Sequence, residues 1–370
     1  MRRITAAVLA QAPGRLELQE LVLSDPDPDE VLVRIAYAGL CHSDLHEIDG
    51  TFDTTPPIVL GHEAAGVVVE VGSNVRDLAV GDRVVTCLSV FCGRCRACVR
   101  GLPSSCDRRT ELATGRPDRL TTPAGRPVRP TAGIGAFAEM AVVHRNALVA
   151  IPPAMPLPTA SILGCAVTTG IGAVVRRARV EPGSSVVVIG AGGVGLAAIQ
   201  GARLAGARLI IAVDLVPEKL AASVELGATH AFDGRDPGVV AAVREVTGGG
   251  ADHVIEAVGV ASAVERAMAM LAPGGVATVI GMVPSDPPIR LDGNDLFFLE
   301  KTLQGSFMGS NQFVRDIPAY VGLQLQGRLQ LDRLVSEVIP FEAINDGFGS
   351  LAGGRSRRVV VEIQSGEGGR

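Results

Sequence analysis

Four cysteines lie close together in the first third of the chain, where they could bind a metal ion. They are Cys92, Cys95, Cys98 and Cys106, within fifteen residues of sequence. Four thiolates can complete a tetrahedral shell around one zinc ion and leave no open position, which is typical of a structural site. Because the chain is expected to be cytosolic and has an odd number of cysteines, a metal is favoured over disulfides. The spacing alone leaves an iron–sulfur cluster as the alternative.

A second possible metal site is spread over a longer stretch of sequence. Cys41 precedes a polar segment, His62 follows a glycine, and Cys165 comes where the β-rich part of the chain ends. A thiolate–imidazole–thiolate set around Zn²⁺ is neutral and leaves a fourth position open for water or substrate. Their spacing alone does not single out these three residues, since an isolated Cys or His is more often structural.

A glycine-rich turn follows the apolar run Ser185-Val-Val-Val-Ile. Its sequence is Gly190-Ala-Gly192-Gly193-Val194-Gly195, and a helix is predicted to begin within it. Glycines in this context let the backbone approach a pyrophosphate, and the helix N-terminus supplies N–H donors. The pattern predicts a dinucleotide site.

An acidic residue lies at the expected distance from this turn. Asp214 ends the next predicted strand, nineteen residues beyond Gly195. Its carboxylate is expected to accept hydrogen bonds from the adenosine ribose and to repel a 2′-phosphate, so NAD is favoured over NADP. Lys219 could add a second ribose contact.

The elements that must position these residues fall into three parts. Short β-branched runs broken by Gly and Pro fill about the first 165 residues and predict a barrel-like β domain. Strands and helices alternate from about 168 to 306, which is typical of a doubly wound parallel sheet. From about 307 the character is mixed and ends in a strand near Arg358. Residues 107–133 are expected to form a long surface loop, and residues 364–370 a disordered tail.

Length and composition limit the class of protein. The 370 residues suggest two domains, and 47% hydrophobic with 20% charged residues is ordinary for a globular chain. The net charge of −5 predicts no general attraction to nucleic acid or to anionic lipid. No apolar run reaches the ~20 residues of a membrane span, and no signal peptide is recognised, so a cytoplasmic protein is expected.

Taken together and in this order, the motifs resemble those of the zinc-dependent medium-chain alcohol dehydrogenases. The resemblance covers nearly the whole chain, and the stretch from Gly309 to Pro318 is most similar to actinobacterial members. It implies an α/β protein with a GroES-like, β-rich catalytic domain in two pieces, 1–166 and 307–370. A Rossmann NAD-binding domain, 167–306, would be inserted between them, and residues 92–106 would form the structural zinc lobe.

The resemblance also implies roles for individual residues. Cys41, His62 and Cys165 match the catalytic zinc ligands. Glu63 matches an acidic neighbour of that zinc, and Asp44 a partner of the ligand histidine. Ser43 and His46 match a proton relay. Thr169 matches a residue beside the nicotinamide, Arg358 a pyrophosphate contact, and His42 stands where many relatives carry a pyrophosphate-binding arginine.

The function implied is hydride transfer between a primary alcohol and NAD, with two zinc ions per chain, giving the aldehyde. The substrate pocket would include Phe52, Leu88, Thr131, Met282 and Phe307. Thr131 and Ala132 are smaller than the aromatic residue and leucine often found there, which suggests a roomy pocket for medium-chain or aromatic primary alcohols. A small-molecule alcohol or aldehyde is the expected partner, with no nucleic acid or membrane, in a homodimer or homotetramer.

Several alternatives remain open. Within the family they are a thiol-dependent formaldehyde dehydrogenase, and an enzyme that holds NAD tightly and needs an artificial electron acceptor. A zinc-free quinone or enoyl reductase would lack the ligands at 41, 62 and 165. A non-catalytic protein that binds a partner through the four-cysteine lobe would leave Ser43 and His46 unexplained.

Overall fold

The fold was obtained as a computed structural model, and the structure describes residues 1–115, 119–354 and 356–364. Apart from Gln364, the predicted disordered tail lies outside the described residues. Two compact units are present. The first comprises Met1–Cys165, Gln312–Gly327 and the described part of Leu331–Arg370, and the second comprises Ala166–Asn311 and Arg328–Gln330.

The second unit ends a few residues later than the predicted boundary at 306. The turn Phe307–Ser310 packs against the helical residues that open this unit, and Gly309 lies so close to the backbone of Thr168 that a side chain there would collide with it. Gln200 accepts a hydrogen bond from the backbone N–H of Gln330 at 2.8 Å, which attaches the short segment Arg328–Gln330 to the same unit.

The strands are numbered in chain order. They are β1 Arg2–Leu9, β2 Leu16–Leu23, β3 Glu30–Gly39, β4 Ile58–Val59, β5 Ala64–Val71, β6 Arg83–Thr86, β7 Leu120–Thr121, β8 Arg129–Pro130, β9 Met140–His144, β10 Leu148–Ile151, β11 Ser185–Ile189, β12 Leu209–Asp214, β13 His230–Asp233, β14 Ala251–Glu256, β15 Leu271–Val279, β16 Thr302–Gly305, β17 Glu337–Pro340 and β18 Val359–Glu362.

The α-helices are numbered in the same way. They are α1 His42–Ile48, α2 Arg96–Val99, α3 Arg109–Thr114, α4 Leu157–Ala160, α5 Thr168–Gly172, α6 Gly193–Leu204, α7 Pro217–Glu225, α8 Val239–Thr247, α9 Ala261–Met270, α10 Gly293–Phe297, α11 Phe313–Leu325 and α12 Ile344–Ala352. Two π-helical turns, Leu163–Val167 and Ala173–Ala178, flank α5. The whole helical stretch Leu157–Ala178 is long and apolar enough to cross a membrane, but 89% of its most apolar window is buried inside the protein.

The first unit is built from two sheets. One has the strand order β7-β2-β1-β4-β8, and the other has the order β10-β6-β5-β3-β18-β17 with β9 also paired to β3. The long strand β3 is buried along most of its length and pairs with strands from both ends of the chain. Because β18 closes the sheet against β3, the residues just before β18 reach the residues that follow β3.

The expected surface loop at 107–133 is wrong in part. It contains α3 and the short strands β7 and β8, which add to β2 and β4. Leu120 and Val128 are buried in a core cluster with Leu21 and Leu23. Two-residue strands carry no detectable periodicity, so their burial was not visible in the sequence.

The second unit contains one six-stranded parallel sheet with the order β13-β12-β11-β14-β15-β16. Counted within the unit, this is the order 3-2-1-4-5-6 of a Rossmann sheet, and helices α6 to α10 lie in the connections between its strands. Every residue of β11 is buried, as expected of a central parallel strand. The predicted α/β class with a doubly wound parallel sheet is confirmed.

Candidate active site and metal centres

The structure brings together Cys41, His62 and Cys165. Their donor atoms lie within 4.8 Å of one another, and all three side chains are buried. Cys41 is the N-cap of α1, His62 lies just before β5, and Cys165 is in the π-helical turn Leu163–Val167. Turns of this kind often occur at functional sites because they re-aim a side chain.

Glycines precede two of these ligands for steric reasons. Gly61 has a φ of +91°, and a Cβ there would lie 2.9 Å from the backbone of Phe137. Gly164 packs so tightly on the carbonyl of Thr86 that any side chain would collide with it. Only glycine fits at these two positions, so the backbone can pass close to its neighbours and place His62 and Cys165 in the site.

Asp44 contacts both the Cys41 segment and the His62 segment of the site. It is buried, and its Oδ1 accepts the N–H of Gly61 at 3.0 Å and lies 3.2 Å from Nδ1 of His62. Its Oδ2 accepts the N–H of Cys41 at 3.3 Å. The opposite ring nitrogen of His62, Nε2, is buried and has no hydrogen-bond partner among the described residues. A histidine held by a carboxylate at one nitrogen and bare at the other is the usual arrangement of a zinc ligand, so the donor set fits that metal.

The electrostatics of the three donors favour a bound cation. A hydrogen bond from Cys165, with the charges of Arg358 and His62, lowers the pKa of Cys41 well below its usual range despite burial. The same pairing and burial raise the pKa of Cys165. Burial lowers the pKa of His62, but the Asp44 carboxylate and the neighbouring Cys41 together outweigh burial and raise it. A divalent cation at this point would stabilise the thiolate form of both cysteines.

Glu63 and Arg358 form a buried ion pair beside these donors. Nη2 of Arg358 donates to Oε1 of Glu63, and both side chains are almost completely buried. Burial opposes the charge of Arg358, but Glu63 and the two site cysteines raise its pKa. Gly39 has no room for a side chain because the Glu63 carboxyl occupies that space. The pairing escaped sequence reasoning, since 295 residues separate the partners; the pyrophosphate role of Arg358 stays a prediction.

The other predicted residues of this segment lie on α1. The Sγ atom of Cys41 is 3.6 Å from Oγ of Ser43, and His46, one helical turn further, is partly exposed. The ring of His46 packs against Phe52 with centroids 5.1 Å apart. His42 is exposed at the start of the helix. Ser43 and His46 thus lie on neighbouring positions of one helix face, as an i, i+3 pair must.

The predicted substrate-pocket residues are divided between the units. In the first unit, Leu88 packs against the core, and Oγ1 of Thr131 is buried with no hydrogen-bond partner among the described residues. In the second unit, Met282 and Phe307 are both about half exposed. Their joint role in a pocket stays a prediction.

The four cysteines of the lobe also converge. Their sulfur atoms lie within 4.8 Å of one another, with Cys95 3.5 Å from Cys98 and 3.8 Å from Cys106. Four sulfurs bound at ~2.3 Å to one tetrahedral zinc ion would be about 3.8 Å apart. These distances are far too long for a disulfide and leave room for one ion at the centre.

Backbone N–H groups stabilise negative charge on the cysteines of this lobe. Hydrogen bonds from the backbone of Arg94 and Cys95 lower the pKa of Cys92 to about 7, against the effect of burial. The N–H of Cys92 in turn donates to Sγ of Cys106 at 3.3 Å. Burial and the neighbouring thiol of Cys95 raise the pKa of Cys98 to about 12. As in the first set, the cluster is incompletely ionised by itself and fits a divalent cation.

In the second unit, the three spaced glycines of the fingerprint each meet a different constraint. Gly190 has a φ of +93°, and a Cβ there would lie 2.8 Å from Val258. Gly192 is the N-cap of α6, and a Cβ there would meet nothing within 4 Å. A Cβ on Gly195 would collide with the carbonyl of Gly190. In a dinucleotide fingerprint the first glycine forms a tight turn, the second leaves room for the pyrophosphate, and the third allows close packing of helix on strand. Gly190, Gly192 and Gly195 match these three requirements in that order.

The remaining fingerprint residues begin the helix, and Asp214 lies beside them. Gly193 and Val194 are the first two residues of α6, so their N–H groups have no partner within the helix. The Asp214 carboxylate accepts the N–H of Ala191 at 2.6 Å and that of Val216 at 2.9 Å. Lys219 is in the first turn of α7, and Thr169 is buried with Oγ1 3.6 Å from Sδ of Met308.

Comparisons with known proteins agree with this geometry. Residues 27–153 match the family model of the alcohol dehydrogenase GroES-like domain, and residues 193–323 match that of zinc-binding dehydrogenases. The NDMA-dependent alcohol dehydrogenase of Amycolatopsis methanolica is 38% identical over 96% of this chain and 98% of its own.

Two solved structures are similar over their full length. The alcohol dehydrogenase zinc-binding domain protein of Burkholderia ambifaria has a TM-score of 0.94 and 37% identity, covering 98% of this chain and 99% of its own. Benzyl alcohol dehydrogenase of Acinetobacter calcoaceticus has a TM-score of 0.93 and 32% identity, covering 98% and 100%. The chain therefore belongs to the zinc-dependent medium-chain alcohol dehydrogenase family, and its first unit is the GroES-like domain.

Proposed function

We propose that this protein oxidises primary alcohols, medium-chain or aromatic, to aldehydes with NAD and two zinc ions per chain. The observation that carries the proposal is the convergence of Cys41, His62 and Cys165 with Nε2 of His62 bare and buried. Three protein ligands leave one position of a tetrahedral zinc open to substrate. The four-cysteine lobe would hold the second zinc as a structural ion.

When bound, zinc supplies a Lewis acid for the substrate oxygen, and NAD accepts the hydride. The protein's own residues handle the proton. Ser43, next to Cys41, would take the hydroxyl proton, and His46, partly exposed one turn along α1, would release it to solvent. Asp44 and Glu63 would hold the ligands and their neighbours in place without touching the substrate.

The choice of NAD rests on Asp214, and the choice of alcohol rests on two weaker observations. The Asp214 carboxylate is held between two backbone amides beside the fingerprint, where a ribose would compete for it. The predicted pocket residues are mostly apolar, and one similar structure is a benzyl alcohol dehydrogenase. The formaldehyde alternative is disfavoured because His46 stands where the resemblance implies a tyrosine in the formaldehyde dehydrogenases.

A second candidate is favoured by one relative. The similarity to an NDMA-dependent alcohol dehydrogenase supports an enzyme whose NAD never leaves and whose electrons pass to an artificial acceptor. The same residues would carry the chemistry, and only coenzyme exchange would differ.

One experiment tests both candidates. Zinc is measured by atomic spectroscopy, and NAD reduction is followed with short-chain, medium-chain and aromatic alcohols, with and without an artificial acceptor. About two zinc ions per chain with free NAD reduction supports the first proposal. Turnover only with the acceptor, together with NAD released on denaturation, supports the second. One zinc or none with no turnover in either assay overturns both.

A further inference from the structure

An arginine lies at the carboxyl edge of the parallel sheet, close to the end of the strand that carries Asp214. Strands β12 and β13 end side by side, with Asp214 opposite Asp233 in the register. Arg235 follows two residues later, and its Nη2 donates to the carbonyl of Leu215 at 2.7 Å. Its Nε lies 3.1 and 3.2 Å from the two carboxylate oxygens of Asp233. The guanidinium therefore lies beside the residue that follows Asp214.

The charges at this edge do not have one sign. Asp214 alone would repel a second negative group, which is the basis for expecting NAD rather than NADP. Arg235 and Lys219 bring positive charges to the segments that follow Asp214 and Asp233. Because the guanidinium has five N–H donors in a fixed fork, bonds to Leu215 and Asp233 leave donors over.

The Arg235 side chain is also accessible. It is 61% exposed, and its Nη1 donates no hydrogen bond to any residue in the part of the chain that the structure describes. Ligands of sheets with this topology bind outside the carboxyl ends of the strands. A planar guanidinium at that edge is well suited to a phosphate, which it can bind through two parallel hydrogen bonds.

We infer that Arg235 is a coenzyme-specificity residue that binds the 2′-phosphate of NADP(H). The protein accordingly binds NADPH as well as NADH, with NADH preferred because Asp214 still accepts the ribose hydroxyls. The inference rests on the proposed function, since it requires the coenzyme to lie with its adenosine ribose at Asp214. It adds a second residue to that site, with an effect opposite to that of Asp214.

The test measures binding and does not depend on activity. Dissociation constants for NADH and NADPH are measured by isothermal titration calorimetry for the wild type, Arg235→Ala and Asp233→Asn. Arg208→Ala is the matched control, because Arg208 is an exposed arginine just before the amino end of β12, at the opposite edge of the sheet from Asp214 and Arg235. Arg235→Ala should weaken NADPH binding by about tenfold or more, as loss of a charged hydrogen bond implies, and leave NADH nearly unchanged. Asp233→Asn should strengthen NADPH binding because it releases the guanidinium.

A double variant separates the contributions of the two charges. Asp214→Asn should improve NADPH binding, and Asp214→Asn with Arg235→Ala should lose that gain. If NADH binds normally but the NADPH-to-NADH ratio is the same in the wild type and Arg235→Ala, the inference is overturned while the proposed function stands. If the wild type binds neither coenzyme, as purified or after removal of any retained nucleotide, the proposed function itself fails.

Discussion

Asp44 and His62 form a buried pair in which Oδ1 of the carboxylate lies 3.2 Å from Nδ1 of the imidazole. The pair settles which nitrogen of His62 is available. In the neutral ring that a metal would require, the proton is on Nδ1, directed at Asp44, and Nε2 keeps its lone pair on the side of Cys41 and Cys165. The same carboxylate also accepts the backbone N–H groups of Gly61 and Cys41, so it fixes the backbone of two ligand segments at once.

Replacement of Asp44 by Asn should therefore weaken the metal site without removing a ligand. The amide can donate to Nδ1 of His62, which would place the ring proton on Nε2 and block the metal-binding nitrogen. We expect the zinc affinity of this site to fall by about 10–100-fold. Zinc content is measured during dialysis against graded chelator concentrations. Equal retention by the wild type and Asp44→Asn would contradict this role.

The two metal centres should differ in what their loss does. Cys41→Ser and His62→Ala should each abolish turnover and lower zinc from about two ions per chain to about one, and Cys41→Ser should leave the thermal midpoint nearly unchanged. Cys95→Ser should also remove one zinc but lower the thermal midpoint by several degrees, because a closed zinc site contributes directly to folding. Cys87→Ser serves as the control, since Cys87 is a buried thiol outside both clusters. An equal loss of stability in Cys41→Ser and Cys95→Ser would show that the sites are not divided in this way.

Two glycines of the fingerprint give a matched pair of variants. Gly192→Ala should fold normally, since a Cβ there meets nothing within 4 Å and the backbone is extended. It should nevertheless weaken NADH binding, because the added methyl occupies the space through which a pyrophosphate would approach. Gly195→Ala should instead destabilise the second unit, because its Cβ would collide with the carbonyl of Gly190. Calorimetric binding and thermal unfolding are measured for both; a Gly192→Ala protein with wild-type NADH affinity would place the coenzyme elsewhere.

A pH dependence of stability follows from His144. Burial lowers the pKa of this histidine, although Asp29 and Glu30 act in the opposite direction. The unfolded chain then binds a proton more readily than the folded one, so the stability contributed is complete above the unfolded pKa of ~6.5 and is lost as pH falls toward the lower folded value. Protonation would also break the bond from the Asn146 N–H to Nδ1, which is 3.0 Å long.

The variant His144→Asn tests this sign. Asparagine keeps a side-chain acceptor for the Asn146 N–H but does not titrate. The thermal midpoint of the wild type should fall relative to that of the variant between about pH 7 and pH 5. Parallel midpoint curves over that range would show that His144 does not contribute in this way; His253, whose pKa burial also lowers, is common to both proteins and cancels.

The sequence was most informative where a chemical requirement has a fixed local spacing. The lobe cysteines and the fingerprint glycines lie within single segments, and Ser185–Ile189 is a strand with all five residues buried, so these were predictable from the residues themselves. Asp214 was predictable because the strand and helix lengths in such units vary little, so the ribose-binding acid lies at a nearly fixed distance from the fingerprint. The set formed by Cys41, His62 and Cys165 was not compelling from spacing, and only the family resemblance connected them.

What the sequence could not predict depends on contacts between distant segments. The pairing of Glu63 with Arg358 requires β18 to lie against β3, which no local pattern indicates. The burial of Leu120 and Val128 likewise depends on strands of two residues that join β2 and β4. Arg235 had no signal at all, because an exposed arginine after a strand is ordinary until the fold places it against the carbonyl of Leu215, the residue after Asp214.

His42 is the first residue of α1, and the family resemblance implies an arginine for the coenzyme pyrophosphate at this position in many relatives. Its side chain is exposed at the start of the helix, next to Cys41, a proposed zinc ligand. An arginine has a permanent charge and a fork of donors, whereas a histidine loses its charge around neutral pH. If release of NADH limits turnover, a histidine should favour a faster cycle with weaker coenzyme binding. We therefore expect His42→Arg to tighten NADH binding and to slow steady-state turnover, and wild-type NADH affinity to weaken as pH rises from about 6 to 8.

Dissociation constants are measured by calorimetry at several pH values for both proteins, with His230→Arg as a control at an edge strand of the second unit. Equal affinities and equal pH slopes in the wild type and His42→Arg would remove His42 from the coenzyme site.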